Sequence, residues 1–185
     1  MKELIALAKA QPGKLDYASA GNGTPNHLAM ELFRSMAGVN LNHVPYKGAP
    51  QAVTDLLAGQ VGLMFNSIAP ALPHIRAGRL RVLGIGSVKR SSVLPEVPTI
   101  AESGVPGYEA VSWFGMLAPA KTPKAIVAQL SQGVAQVVHR PEVRKQLEAL
   151  GAEPVGSTPE EFGALMRREF ERYGRIVKSS GAKVD

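Results

Sequence analysis

The chain has 185 residues, 45% of them hydrophobic and 19% charged, with no cysteine and a formal net charge of +6. That composition suits a globular protein of one domain or two small ones, and it excludes disulfides, thiolate metal sites and cysteine nucleophiles. No apolar run reaches the roughly 18 residues needed to cross a bilayer, and the charge is spread evenly, +3 over residues 1–120 and +3 over 121–185, so no basic arm or tail points to a nucleic acid.

In chain order, "MKELIALAKAQPGK" predicts an amphipathic helix ending at Pro12-Gly13. It lacks the apolar core and small-residue cleavage site of a secretion signal. "KLDYAS" predicts a first strand, followed by a glycine loop and a helix over 25–37 with Leu28, Leu32 and Met36 on one face, ended by Gly38. "VNLNHVPY", "VGLMFNS" and "LRVLGIGS" predict three more strands, separated by helices in "APQAVTDLLAGQ" and "PALPHIRAGR". Strands alternating with helices, most of them nearly continuous in apolar residues, indicate a mostly parallel sheet covered on both faces. A proline-rich stretch, "SSVLPEVPTIAESGVPG", holds one short helix over 99–103 and leads into a long strand candidate, "YEAVSWFGMLAPA". Helices over 123–138, 141–150 and 159–180 complete the pattern.

Three helix starts share one grammar: Thr24-Pro25, Thr122-Pro123 and Thr158-Pro159 each place a capping threonine before a proline at the first helical position. Glu161 adds a capping box to the third. The first differs in its approach, Ala20-Gly21-Asn22-Gly23, which carries almost no side-chain bulk. Glycine allows close approach of another group, and a helix N-terminus presents unpaired N–H donors, so together they predict an anion-binding concavity. The dinucleotide fingerprint is incomplete, with Asn26 where its third glycine belongs, and no GK[ST] ending is present. Phosphate and carboxylate both remain open. Tyr46 and Lys47 follow the second strand, Asn66 and Ser67 the third, and ligands of open α/β sheets sit outside the carboxyl ends of strands. These three loops are therefore expected to converge.

Catalytic patterns are absent: no GxSxG elbow and no HExxH helix occurs. His27 and Glu31, one helical turn apart, read as a surface pair, since a metal would need a third ligand. His43 reads as a satisfied, partly buried histidine, and nothing near Lys47 marks it as a Schiff-base lysine.

The stretches "YASAGNGTPNHLAMELF", "HVPYKGAPQAVTDLLAGQVGLMF", "LPHIRAGRLRVLGI", "LPEVPTIAESGVPGYE", "WFGMLAPAKTP" and "LGAEPVGSTPEEF" resemble, in one order along the whole chain, the extracytoplasmic solute receptors of tripartite tricarboxylate transporters, the TctC/Bug family. The resemblance implies an α/β, periplasmic-binding-protein-like (Venus flytrap) lobe with a mostly parallel sheet flanked by helices, plus C-terminal helices of an incomplete second lobe. It implies a periplasmic receptor that is not an enzyme, uses no cofactor or metal and contacts no nucleic acid. Such a receptor captures a small carboxylate (an amino acid, a di- or tricarboxylate or an aromatic acid) for membrane permease subunits. Carried over by position, the ligand-binding residues are Ser19, Ala20, Gly21, Gly23 and Thr24, then Tyr46 and Lys47, then Phe65, Asn66 and Ser67. Asn66 stands where many relatives have aspartate.

Family members carry a further N-terminal part, so residues 13–111 are expected to form the complete ligand-binding lobe, with 1–12 and 112–185 belonging to a partial second lobe. The apolar helical faces Ile126, Leu130 and Val134, and Phe162, Leu165, Met166 and Phe170, are then expected to be covered in a homodimer or to be mobile. Two other classes stay open: the effector-binding domain of a regulator, although no helix-turn-helix is present, and an enzyme acting on a phosphorylated or carboxylated small molecule.

Overall fold

The computed structural model describes residues 1–180, which divide into two compact units. The first comprises Met1–Ser112 with the residues from Gly174 onward, and the second Trp113–Tyr173.

The first unit opens with helix α1 (Lys2–Ala10), followed by β1 (Asp16–Ser19), α2 (Pro25–Ala37), β2 (Asn42–Pro45), α3 (Ala49–Leu57), β3 (Leu63–Met64) and α4 (Ile68–Arg76). The strands form one parallel sheet in the order β2-β1-β3, with Tyr17 paired to His43 on one side and to Leu63 on the other. Side chains alternate across a strand, and β1 uses both faces. Tyr17 joins a core cluster with Ala8 of α1, Met30 and Phe33 of α2, Leu41, Ile100 and Tyr108. Ala18 faces the other way, onto Ala52 of α3 and Val61. A third cluster gathers Leu72, Ile85, Leu94 and Val97. The fold is therefore α/β, a parallel sheet flanked by helices. Its largest buried side chains, Tyr17, Phe33, Leu41, Ile100 and Tyr108, each contribute about 1.5–3 kcal/mol of apolar burial.

Several sequence expectations need correction. Residues 1–12, grouped with the second lobe, form a helix of the first unit, because Ala8 is fully buried in its core and Met1, Leu4 and Ile5 pack around it. "LRVLGIGS" is extended but makes only an isolated bridge, Ile85 with Thr99. "YEAVSWFGMLAPA" forms no strand; within its first-unit part, Ala110 N–H donates to the Gly86 carbonyl at 2.8 Å. A strand exists only where a neighbour accepts its ladder of hydrogen bonds, and these segments have apolar pattern without that neighbour. The helix expected over 99–103 is a turn, closed by an unforeseen reciprocal cap between Thr99 and Glu102.

The second unit contains α5 (Lys124–Val138), α6 (Pro141–Ala149) and most of α7 (Pro159–Ser180). The expected Thr158–Glu161 capping box is formed, with N–H to side-chain oxygen distances of 2.9 and 3.2 Å. At α5 the cap is Pro123 rather than Thr122, because the first helical bonds run from Ile126 and Val127 to the Pro123 carbonyl. Among its described residues no apolar side chain is buried, and Glu169, beside Arg172 at 3.4 Å, is the one buried side chain.

Candidate functional site

Each strand of the sheet ends in a loop that starts a helix, and the strands are parallel, so the three loops share the sheet's carboxyl edge. The central loop, after β1, carries Ser19, Ala20, Gly21, Gly23 and Thr24. Tyr46 and Lys47 follow β2 on one side; Phe65, Asn66 and Ser67 follow β3 on the other. Direct bonds stitch the loops together. Tyr46 N–H donates to the Ser19 carbonyl at 3.1 Å, and Asn26 Nδ2 donates to the Phe65 carbonyl at 2.6 Å. Gly21 adopts φ 133°, and a Cβ there would stand 3.2 Å from the Tyr46 carbonyl, so a side chain would push the first two loops apart.

The individual groups do not all face outward. Ser19 is fully buried; its Oγ donates to the Gly21 carbonyl, accepts from Gly21 N–H, both at 3.1 Å, and lies 2.7 Å from His43 Nε2. Gly23 N–H donates to His27 Nδ1 at 3.0 Å, and Thr24 N–H reaches the Gly21 carbonyl at 3.3 Å. The sequence reading gave these loop amides to an anion, whereas here they are held by the protein's own atoms. Thr24 also departs from expectation, since its hydroxyl donates to the Gly21 carbonyl at 2.7 Å rather than capping the helix. The first intrahelical bond of α2 runs from Leu28 to Thr24, so the Asn26 and His27 amides of the first turn precede the helix's own ladder of bonds.

The flanking loops divide in the same way. The Tyr46 hydroxyl donates to Asp55 Oδ2 at 2.7 Å, a bond that raises its pKa, and its ring packs on the Ala18–Ala52–Val61 cluster. Lys47 is exposed. Phe65 turns its ring into the core, stacked on Tyr108 at 5.9 Å. Asn66 Oδ1 accepts the Ser67 N–H at 3.0 Å, and Ser67 stands exposed at the N-terminus of α4.

Beneath the glycine loop lies a buried polar network that sequence reasoning missed. His27 and Glu31, expected as a surface pair, are 4% and 6% exposed, while Met36, expected on the apolar face, is 41% exposed. The buried face of α2 is thus rotated toward His27, Met30, Glu31 and Phe33. Tyr17 Oη and Arg34 both donate to Glu31 Oε1, and His27 Nε2 is 3.8 Å from the same oxygen. The rings of His27 and His43 stack at 3.9 Å and 11°, and Tyr17 stacks on His43 at 4.8 Å. Burial lowers the pKa of both histidines, that of His43 to about 4, and burial followed by the Glu31 bond raises that of Tyr17. Both imidazoles are neutral at physiological pH. The available signal was register: Tyr17 opposite His43 in the ladder, with His27, Glu31 and Arg34 at helical spacing on the helix that covers them.

Chemically, this arrangement holds rather than reacts. The Ser19–His43 contact has the length of a nucleophile–base pair, but Ser19 is inaccessible and its Oγ is tied to Gly21 on both sides. Among the described residues no group of three or more His, Cys, Asp or Glu side chains is arranged to hold a metal. An open cleft lined by Glu31, Arg34, Ser35, Val39 and Ser180 lies toward the far end of α2 from the loops.

A family model described as "Tripartite tricarboxylate transporter family receptor" matches residues 1–182. The protein of the tcbD-tcbE intergenic region in Pseudomonas sp. strain P51 is 42% identical over 176 residues, covering 95% of this chain and 52% of its own length. An R. palustris protein solved with adipate superposes with a TM-score of 0.90 at 36% identity, over all of this chain and 62% of its own. The periplasmic binding protein BugD superposes with a TM-score of 0.85 at 33% identity, again over 100% and 62%. The chain therefore spans between half and two thirds of the length of these relatives.

Proposed function

The chain belongs to the tripartite tricarboxylate transporter receptor family, and from that premise we propose that it is a ligand-capturing part of a periplasmic receptor for small carboxylates, serving the permease subunits of such a transporter. The observation that carries this reading is the convergence of three βα loops on one sheet edge, with the first turn of α2, ahead of the helix's own first bond from Leu28 to Thr24, at its centre. A helix N-terminus favours a carboxylate by its oriented N–H groups and partial positive charge. The adipate in the similar R. palustris structure supports a linear dicarboxylate as the first ligand to test. The donors are the Asn26 and His27 amides, with Gly21 and Gly23 allowing the ligand to approach them closely.

Titration of adipate into the isotopically labelled chain, followed by nitrogen–proton correlation spectra, checks this directly. Saturable shifts centred on Gly23, Asn26 and His27 are expected, with weak affinity on the order of millimolar because these loops form one wall of a site. Shifts centred elsewhere, or none, would overturn it. Self-association through exposed apolar side chains of the second unit, such as Phe114 and Leu117, belongs to the same reading. Light scattering that returns a monomer at all concentrations would remove that part.

A further inference from the structure

We propose that His27 is a positioning residue for the glycine loop, with His43 as its support: the neutral imidazole of His27 holds the Gly23 amide, and through it the loop geometry on which carboxylate capture depends. The inference rests on the carboxylate reading for its functional consequence, but its geometry stands independently.

Gly23 N–H donates to His27 Nδ1 at 3.0 Å, so Nδ1 carries no proton and the ring proton sits on Nε2, facing Glu31 Oε1 at 3.8 Å. Gly21 is held in parallel, through Ser19 Oγ and from there His43 Nε2 at 2.7 Å. The two imidazoles stack at 3.9 Å, so each fixes the plane of the other. Both glycines of the loop thus end, directly or through one hydroxyl, on a single pair of stacked rings. The groups facing this pair are Tyr17 and Ser19 from β1 and Glu31 and Arg34 from α2.

Protonating His27 places a second N–H against Gly23 N–H, and two donors cannot share that bond. The amide must turn away, and the loop loses the conformation that brings α2's first turn to the ligand. Protonating His43 leaves its Nε2–H donating to Ser19 but sets a positive ring 3.9 Å from its neighbour. Burial keeps both histidines neutral below the usual imidazole range, which is what such a support requires.

The test uses three forms of the chain. In the ligand-free wild type, a titration from neutral pH to about pH 4.5 should move the Gly23 amide signal with the same midpoint as the His27 ring protons. In His27→Gln, whose side-chain oxygen accepts a hydrogen bond but takes no proton, that coupled movement should vanish. Adipate affinity in this variant should also fall about tenfold less over the acid range than in wild type; the ligand's own protonation is common to both and cancels. His27→Phe, which keeps a ring without an acceptor, should bind adipate about tenfold more weakly than His27→Gln at neutral pH. A Gly23 signal that ignores His27, or equal affinity in the Phe and Gln variants, would overturn the positioning role. A coupled Gly23–His27 titration in a chain that ignores adipate at every pH would support it while overturning the carboxylate reading.

Discussion

The two units of this chain are built from the same kinds of residue and differ in what those residues touch. In the first unit, three clusters of buried apolar side chains lock a parallel sheet between helices. In the second, helices form and α7 carries a capping box, yet no apolar side chain among the described residues is buried, and Phe114 is 95% exposed. Helical bonds close within four residues, so caps and propensity suffice to draw a helix. Its stability comes from packing an amphipathic face, and here only the first unit supplies that. The largest expected consequence lies in hydrogen exchange. Amides of β1, such as Tyr17 and Ala18, should exchange about a thousandfold more slowly than those of α5 and α6, because local opening ranges from almost no cost to the global stability. Comparable protection in both units would show that the second has found cover in solution.

Substitution sharpens the same contrast. Phe33→Ala removes a ring that is 2% exposed in the main core and should cost about 3–5 kcal/mol by chemical denaturation. Phe170→Ala removes one that is 82% exposed and should change stability by no more than about 0.5 kcal/mol. A large loss from Phe170→Ala would mean that this side chain is covered by another copy, and the loss should then depend on protein concentration.

What could be read from the residues follows the same line between local and long-range causes. The glycine loop, α2 with its Gly38 terminus and the capping box at Thr158 are written in neighbouring residues, and each formed. The strand candidates "LRVLGIGS" and "YEAVSWFGMLAPA" have the right pattern, but strand pairing is a property of two segments, and only the Ile85–Thr99 bridge found a partner. At the site, the position of the loops was legible while the direction of their amides was not. That direction depends on Ser19, His27 and His43, which meet only once β1, α2 and β2 have packed. His27 and Glu31 at one-turn spacing look the same whether they face water or the core; Tyr17 and Arg34, which satisfy Glu31, decide it.

The buried network also gives the first unit a pH dependence. Both histidines have folded-state pKa values below their unfolded ones, His43 at about 4, so the unfolded chain takes up protons first as pH falls through the ordinary imidazole range. Stability of the first unit should therefore be unaffected by these groups above about pH 7 and decline below about pH 6.5, by at most about 1.4 kcal/mol per pH unit for each titrating histidine. Denaturation midpoints between neutral pH and pH 5 check this. Replacing His43 by a residue that does not titrate should flatten the slope; an unchanged slope would place the acid sensitivity elsewhere.

The smallest effect tests whether local signals are all that hold the second unit's helices. Thr158 accepts the Glu161 N–H through its hydroxyl, while Glu161 accepts the Thr158 N–H, so two otherwise unpaired donors at the start of α7 are satisfied by side chains three residues apart in the chain segment that begins the helix. Removing the hydroxyl in Thr158→Ala deletes one acceptor and costs about 1 kcal/mol. In a well-packed helix that loss merely subtracts from a large reserve. Here the first three residues of α7, Pro159, Glu160 and Glu161, are exposed, so the same loss should appear as fraying: faster exchange at Glu161 and Phe162, and a small drop in helical circular dichroism, with β1 protection unchanged. Thr158→Ser, which keeps the hydroxyl, should restore the cap. If Thr158→Ala leaves exchange at Glu161 and Phe162 untouched, the start of α7 is held by packing, and the contrast between the two units is weaker in solution than the exposed side chains indicate.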